Sequence, residues 1–273
     1  MSENNIQNDV TEQKEEIQET KSQTPKKSHK KRNIILLIIS TIFLVPIFIA
    51  GWLGFVPGLS TLLGANKPRD LGVKYTEADF ESYKQKTGIE FSDFATAPTN
   101  PDNPSKKIVF ANPKTVKDLQ LTQEELTAAI NMSGWLWMPI KNAQVRLGDG
   151  TVEVSGNLNV QYIDEFTKFI GGVGYSESDV ASAVSWGSKF ANNAAIYFKV
   201  DANVVNDSLS LDLDKIKIGR FSVPMDIADR VLTTGTSNAI INADNLVATS
   251  AQPVSGALLF SGTYPTTIYT KFK

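Results

Sequence analysis

Beyond residue 32, carboxylates are the only side chains that offer catalytic chemistry in pairs. The pairs are Asp149 with Glu153, Asp164 with Glu165, Glu177 with Asp179, and Asp212 with Asp214. Glycosidic hydrolysis needs two carboxyls across a cleft, one with a raised pKa. These pairs fall in turns, at helix starts or on the polar side of strands, where nothing desolvates a carboxyl enough to raise its pKa. They read as solvated or capping groups. Ser185 and Lys189 can share a helix face, but the Ser-x-x-Lys spacing of a serine–lysine nucleophile is absent. The chain has no cysteine, and its one histidine is His29. That removes the usual zinc sites, the Ser-His-Asp and Cys-His nucleophiles and thiol redox chemistry from everything beyond residue 32. Asn100, Asp102 and Asn103 match no EF-hand spacing. Gly171-Gly172-Val173-Gly174 follows a predicted helix and is not followed by Gly-Lys-Ser/Thr, so it reads as a loop between helices rather than a phosphate loop. The sequence therefore predicts no catalytic residue, no metal and no cofactor. The densest aromatic patch is Gly134 to Pro139, with Trp135 and Trp137. It suits stacking on a sugar, contact with lipid, or simple core filling.

The elements that position these groups begin with an uncharged run from Ile34 to about Leu53, IILLIISTIFLVPIFIAGWL. About twenty helical residues span roughly 30 Å, the hydrocarbon thickness of a bilayer. Ile34, Leu37, Ile42, Leu44, Ile47 and Ile49 would face lipid, with Trp52 at the exit interface. Lys26, Lys27, Lys30, Lys31 and Arg32 precede the run and predict a cytoplasmic amino terminus. A cleaved signal peptide is the rival. Its apolar region is usually roughly 7–15 residues and ends at a small-x-small site, which this run does not offer. The expected organisation is a disordered cytoplasmic tail at 1–32, a transmembrane anchor at 33–56, a juxtamembrane helix and linker at 57–105, and an extracytoplasmic α+β domain at 106–273.

The chain has 273 residues, 41% of them hydrophobic, with a formal net charge of −2. Residues 1–32 hold seven of its 27 basic and six of its 29 acidic residues, leaving the remainder near −3. This is no footprint for nucleic acid or for anionic lipid headgroups. An exported domain of this size without cysteine must be held by its core alone, which favours a bacterial cell.

Along the chain, Thr76-Glu-Ala-Asp79 predicts a capped helix stopped by Gly88. Thr122-Gln-Glu-Glu125 predicts a second, through Ile130. Lys107–Ala111 and Val116–Leu121 read as two short strands. A hairpin follows, with Ala143, Val145, Leu147, Val152, Val154, Leu158 and Val160 on a buried face. Gln144, Arg146, Glu153 and Asn157 then lie on a wet one. A second hairpin has Ile196, Phe198, Val200, Ala202 and Val204 inward, a turn at Asn206-Asp207, and Leu209, Leu211 and Leu213 returning. Inward parity then moves to Ile216 and Ile218, which predicts a β-bulge near Asp214-Lys215. Tyr162–Ile170 and Ser176–Phe190 read as helices. Pro224 opens another, with Ile227, Ala228, Val231 and Leu232 on one side, and the last thirty residues alternate as two or three strands.

Two stretches carry a family resemblance. Leu121-Thr-Gln-Glu-Glu-Leu-Thr-Ala-Ala-Ile-Asn131, followed by strands with Asp149-Gly150, resembles the opening of YpmS-like bacterial membrane-anchored proteins. Leu213-Asp-Lys-Ile-Lys-Ile-Gly-Arg-Phe-Ser-Val-Pro224 is similar to that family's strand ending before a helix. Those proteins are similar in turn to the tubular lipid-binding (BPI-like) superfamily. The likeness covers roughly residues 115–235. It implies antiparallel hairpins curled against helices around an apolar groove, with Ile216, Ile218, Phe221 and Val223 at a strand-to-helix corner. Those four, with Trp135 and Trp137, are the candidate contact residues.

The expectation is a single-pass cell-membrane protein whose exterior domain binds lipid or lipid-like envelope molecules without catalysis. Its partners would be the bilayer and such a lipid, and no nucleic acid. The alternatives are an envelope scaffold or adhesion module recruiting another protein, and a carboxylate-dependent cell-wall hydrolase.

Overall fold

The computed structural model describes residues 29–98, 108–191, 193–205, 208–242 and 246–272, with side chains from Ser40 onward except at 190 and 240–242. Most of the predicted tail, the side chains of Ile34 and Leu37, the Asn100–Asn103 stretch and the Asn206-Asp207 turn lie outside the described residues. Among the described residues the fold is mixed α+β, with seven helices and nine strands in one sheet.

The chain divides into two compact units between Val45 and Pro46. The described part of the first is the leading portion of helix α1 (His29–Leu53). Along α1, Ile42, Leu44, Ile47, Ile49 and Trp52 are 47–62% exposed. Among the described residues no helix is long and apolar enough to cross a membrane; the described side chains of α1 run only from Ser40 to Leu53. The second unit holds everything from Pro46 onward, residues 57–98 and the sheet included.

After the short α2 (Leu59–Leu62), helix α3 (Glu77–Thr87) starts at Thr76 and ends at left-handed Gly88. Here Asp79 is the acceptor, taking bonds from the Thr76 backbone N–H and hydroxyl, both at 2.7 Å. Helix α4 (Gln123–Met132) has the reciprocal box. Thr122 Oγ1 accepts from Glu125 N at 3.2 Å, and Glu125 Oε2 accepts from Thr122 N at 2.8 Å. Glu125 is also buried against α3, accepting from Ser82 Oγ at 2.5 Å and Lys86 Nζ at 2.9 Å.

The sheet contains β1 (Glu90–Asp93), β2 (Val109–Thr122), β3 (Ile140–Gly148), β4 (Thr151–Leu158), β5 (Ala195–Val205), β6 (Ser208–Ile218), β7 (Phe221–Ser222), β8 (Val247–Val254) and β9 (Ala257–Thr270). The last strand is central: β2 pairs along one side of β9, and β8 and β1 along the other. Strand β5 joins β6 on one side to β4 and, through its last two residues, the middle of β8 on the other. The two short strands predicted at 107–121 are one long β2. Asn112 and Asp118 absorb its irregularities at φ 56° and 55°, a conformation those residue types tolerate better than most. The predicted bulge is present. Lys199 pairs with Lys215 and Val200 with Leu213, leaving Asp214 as the extra residue.

One face of the sheet carries the core. Val145, Leu147 and Val154 pack with Leu126 and Ile130 of α4, and Val200 and Leu213 with Ala228 and Leu232 of α7 (Met225–Asn242). Ile227 and Val231 of α7, predicted to share that side, are exposed. Leu158, Val160 and Ile196 pack against Ile163 of α5 (Ile163–Phe169) and Val184 of α6 (Glu177–Phe190). The opposite face is not wet at β4, contrary to the alternation. Glu153 and Asn157 are buried there. The segment before α3 covers this face: Leu71 and Val73 pack on Tyr197, and Asn157 Nδ2 donates to Asn66 O at 2.8 Å.

Strand β3 pairs in the sheet with β4 alone, and α4 closes its other side. Gln123, Thr127 and Asn131 stand one helical turn apart. Their oxygens accept from Leu147 N at 3.2 Å, Val145 N at 3.0 Å and Ala143 N at 2.9 Å, while Asn131 Nδ2 donates to Ala143 O at 2.9 Å. Asn131→Ala strands both backbone groups of Ala143 in a buried site. It should cost about 2–3 kcal/mol, read as a lower unfolding midpoint of the full chain in neutral detergent. An unchanged midpoint would refute the edge-sealing role.

Candidate functional site

The carboxylate pairs separate in space and in partner. Asp149 Oδ1 accepts from Ser255 N at 3.0 Å, Asp164 pairs with Lys168 at 2.8 Å, and Asp179 accepts from Ser176 at 2.6 Å. Asp214 pairs with Lys199 at 2.8 Å, which holds its carboxyl below the usual range. Glu153 is the most enclosed of them. Burial pushes its carboxyl up, but Tyr197 Oη at 2.7 Å and the Arg146 guanidinium outweigh this and leave it below the usual range. That is the opposite of the shift a general acid needs. Ser185 and Lys189 are exposed on α6 with no hydrogen bond between them. Among the described residues no three His, Cys, Asp or Glu side chains group as a metal site. The 171–174 loop joins α5 to α6, as expected, and Asn238 Nδ2 donates to Gly171 O and Gly172 O.

The six candidate contact residues do not line one groove. Trp135 packs edge-on to Phe169 at 5.3 Å and lies 5.9 Å from Phe166, beside α5. Trp137 is buried. Ile216 and Val223 pack into the cluster under α7, and Ile218 into the one beside α5. Phe221 alone is exposed, at 42%, and meets Phe55 edge to face at 6.0 Å.

The corner at 216–224 nevertheless has a definite task. The last carbonyls of a helix lack intrahelical partners. Arg220 N donates to Leu53 O at 3.0 Å, Arg220 Nη1 to Trp52 O at 3.0 Å and Nη2 to Leu63 O at 2.7 Å. The guanidinium lies 5.1 Å from the Trp52 ring centroid, a cation at the negative end of α1. Gly219 makes this approach possible. Its φ is +60°, its N–H donates to Ala195 O at 2.6 Å, and a Cβ there would fall 2.2 Å from Leu53 O.

Beside this corner is a cleft of about 240 Å³, lined by Lys67, Arg69, Tyr197, Lys215, Lys217 and Gly219 among others. Arg69 lies over the Tyr197 ring at 4.6 Å. Lys67, Lys215 and Lys217 make no ion pair among the described residues. A larger hollow of about 450 Å³ lies between α3 and β1, but its one lysine, Lys84, is already paired with Glu81 at 2.6 Å. We take the smaller cleft as the candidate site because four cationic residues line it and no acidic one does. Alternation does put Lys215 and Lys217 on one face of β6. Nothing in the sequence brings them beside Lys67 and Arg69.

The chain matches no family model, no curated protein and no solved structure.

Two outcomes follow from the geometry. Gly219→Ala should destabilise the full chain by at least about 2 kcal/mol, since both the strained φ and the Leu53 carbonyl oppose a side chain. Equal denaturation midpoints would contradict this. Glu153 has a depressed folded-state pKa, so its stabilising contribution is complete above the usual carboxylate range and is lost as pH falls through the folded value. Stability of the native chain should therefore decline more steeply in acid than that of Glu153→Gln. Parallel pH profiles would show that Glu153 carries no such linkage.

Proposed function

We propose that this chain is a single-pass membrane protein of the cell envelope. Ile34–Leu53 is its anchor, residues 1–32 are cytoplasmic, and its α+β domain lies outside, holding lipid or lipid-like envelope molecules without catalysing a reaction. The observation that carries this reading is the corner. α1 keeps Ile47, Phe48, Ile49 and Trp52 exposed while its final carbonyls are bound by Arg220, beside an unpaired cationic cleft. Gly219, which lines the cleft, also meets the end of α1 at Leu53, so a headgroup could be held while its tails stay in the bilayer. The likeness of residues 115–235 to YpmS-like proteins supports the same reading. The depressed pKa of Glu153 and the paired state of Asp214 speak against hydrolysis by carboxylates.

Recruitment of a protein by strand addition is the second reading. The side chains of α4 occupy the free edge of β3. Of the other edges, β2 carries Pro113, Lys114, Lys117 and an irregularity, devices that blunt strand pairing, and β6 is paired on its outer side at Lys217 and Ile218 with β7. The test is native mass spectrometry of the full chain released from neutral detergent, with solvent extraction of what it carries. A discrete added mass that extracts as lipid is expected. A clean apo mass that persists after incubation with envelope lipids would overturn the proposal in favour of a protein partner.

A further inference from the structure

We propose that the cleft at Lys67, Arg69, Lys215 and Lys217 is a site for a net-anionic phosphate-ester headgroup, an inference that rests on the lipid-binding reading above and names its ligand class. Four cationic side chains line one small cavity, and none of its lining residues is acidic. The carboxylates nearest in the fold are already engaged: Glu153 with Arg146 and Tyr197, Asp214 with Lys199, and Asp70 with the Gly72 N–H at 2.8 Å. Asp70, Glu153 and Asp214 each act on one cleft cation, Lys67, Arg69 and Lys215 respectively. With Arg146 and Lys199 the cations still outnumber these carboxylates, and an anion in the cleft relieves the remaining repulsion.

Two separate elements build the site. Lys67 and Arg69 come from the strip that crosses the sheet before α3, which is fixed by buried Ala65, Leu71 and Val73 and by the Leu71 N–H bond to Gln144 Oε1 at 2.7 Å. Lys215 and Lys217 come from β6 immediately after the bulge at Asp214. Without the bulge, an unbroken ladder through Leu213 would turn both lysines towards the core face and send Ile216 and Ile218 outward. The bulge therefore creates the basic wall.

Size and surroundings narrow the ligand. About 240 Å³ is below the range of roughly 300–1,000 Å³ typical of sites that enclose a whole small molecule. It suits a headgroup with its tails left outside. The one aromatic wall, Tyr197, has its ring under Arg69 and its hydroxyl on Glu153, so no free face is left to stack a base. Arginine with lysines is a donor set that recognises phosphate oxygens. Gly219, which lines the cleft, also touches the end of α1 at Leu53, which places the cleft where the proposed anchor leaves the bilayer.

The experiment uses the full chain in a neutral maltoside detergent, with native mass spectrometry and thermal unfolding as readouts. The probes are phosphatidylglycerol, phosphatidylcholine and soluble glycerol phosphate. Phosphatidylglycerol should be retained and should raise the unfolding midpoint, and phosphatidylcholine should do so far less. Lys215→Gln with Lys217→Gln should weaken phosphatidylglycerol retention roughly tenfold or more. Lys117→Gln with Lys189→Gln, an equal charge change at exposed positions elsewhere, should leave it intact. Stabilisation by glycerol phosphate alone, lost in the Lys215/Lys217 variant, would support the same chemistry with a soluble ester as its source. Equal retention of the two lipids, or equal loss in both double variants, would overturn the cleft while leaving lipid binding standing. No adduct with any probe would overturn the cleft and the binding reading together. Both substitutions lie on solvent-facing side chains, and the unfolding midpoint without ligand verifies that each variant is folded.

Discussion

The sheet depends on how its β3 edge is closed. A strand with unpaired N–H and C=O groups is open to pairing with any other chain. Here a helix, not a strand, completes it. Gln123, Thr127 and Asn131 lie on one stripe of α4 and reach Leu147, Val145 and Ala143, alternate residues of β3. The match is geometric: about two turns of helix from Gln123 to Asn131 rise about 12 Å, close to the four strand steps from Ala143 to Leu147 at about 3.3 Å each. Because that stripe faces the strand, Leu126 and Ile130 are set into the core and Glu125 towards α3. The position of α3, and with it the covering strip at 65–73, follows from this one contact.

The covered second face of β4 follows in turn. Asn157 donates to Asn66 O and Asn193 O, and Glu153 is held by Tyr197 and Arg146. A buried polar group is tolerated when its bonds are made, and each of these finds its partners on another element. The polar strip over this face stops short of β6, and the cationic cleft is the remaining opening.

Local signals in the sequence were reliable where the physics is local. The reciprocal box at Thr122, the Thr76 helix start with its Asp79 contact, the Gly88 stop, the two hairpins, the Pro224 helix start and the bulge at Asp214 depend on residues within a few positions of one another, and all are present. The failures share a cause. Glu153 and Asn157 have the alternation of a wet face, but burial there is decided by residues some ninety positions earlier. The tryptophans and the Ile216–Val223 corner looked like one apolar surface because hydrophobicity does not say which cluster a side chain joins. The cleft was hidden for the same reason: two of its cations come before the first long strand and two lie in the sixth. The Gln123, Thr127, Asn131 stripe was visible as an i, i+4, i+8 polar pattern, yet such a stripe ordinarily marks a solvent-facing side.

The place of β9 has a kinetic consequence. Val109 of β2 pairs with Tyr269, Glu90 of β1 with Thr267, and the whole of β8 waits on the same strand. A chain emerging amino terminus first thus carries two strands that have no neighbour until its last residues arrive. Pairings this far apart in sequence close slowly, because the loop entropy is lost before the contacts reward it. The α4–β3–β4–β5–β6 portion, with its two adjacent hairpins, is the part able to assemble early. The outer strands are left as the interval in which a holding chaperone would find unpaired backbone.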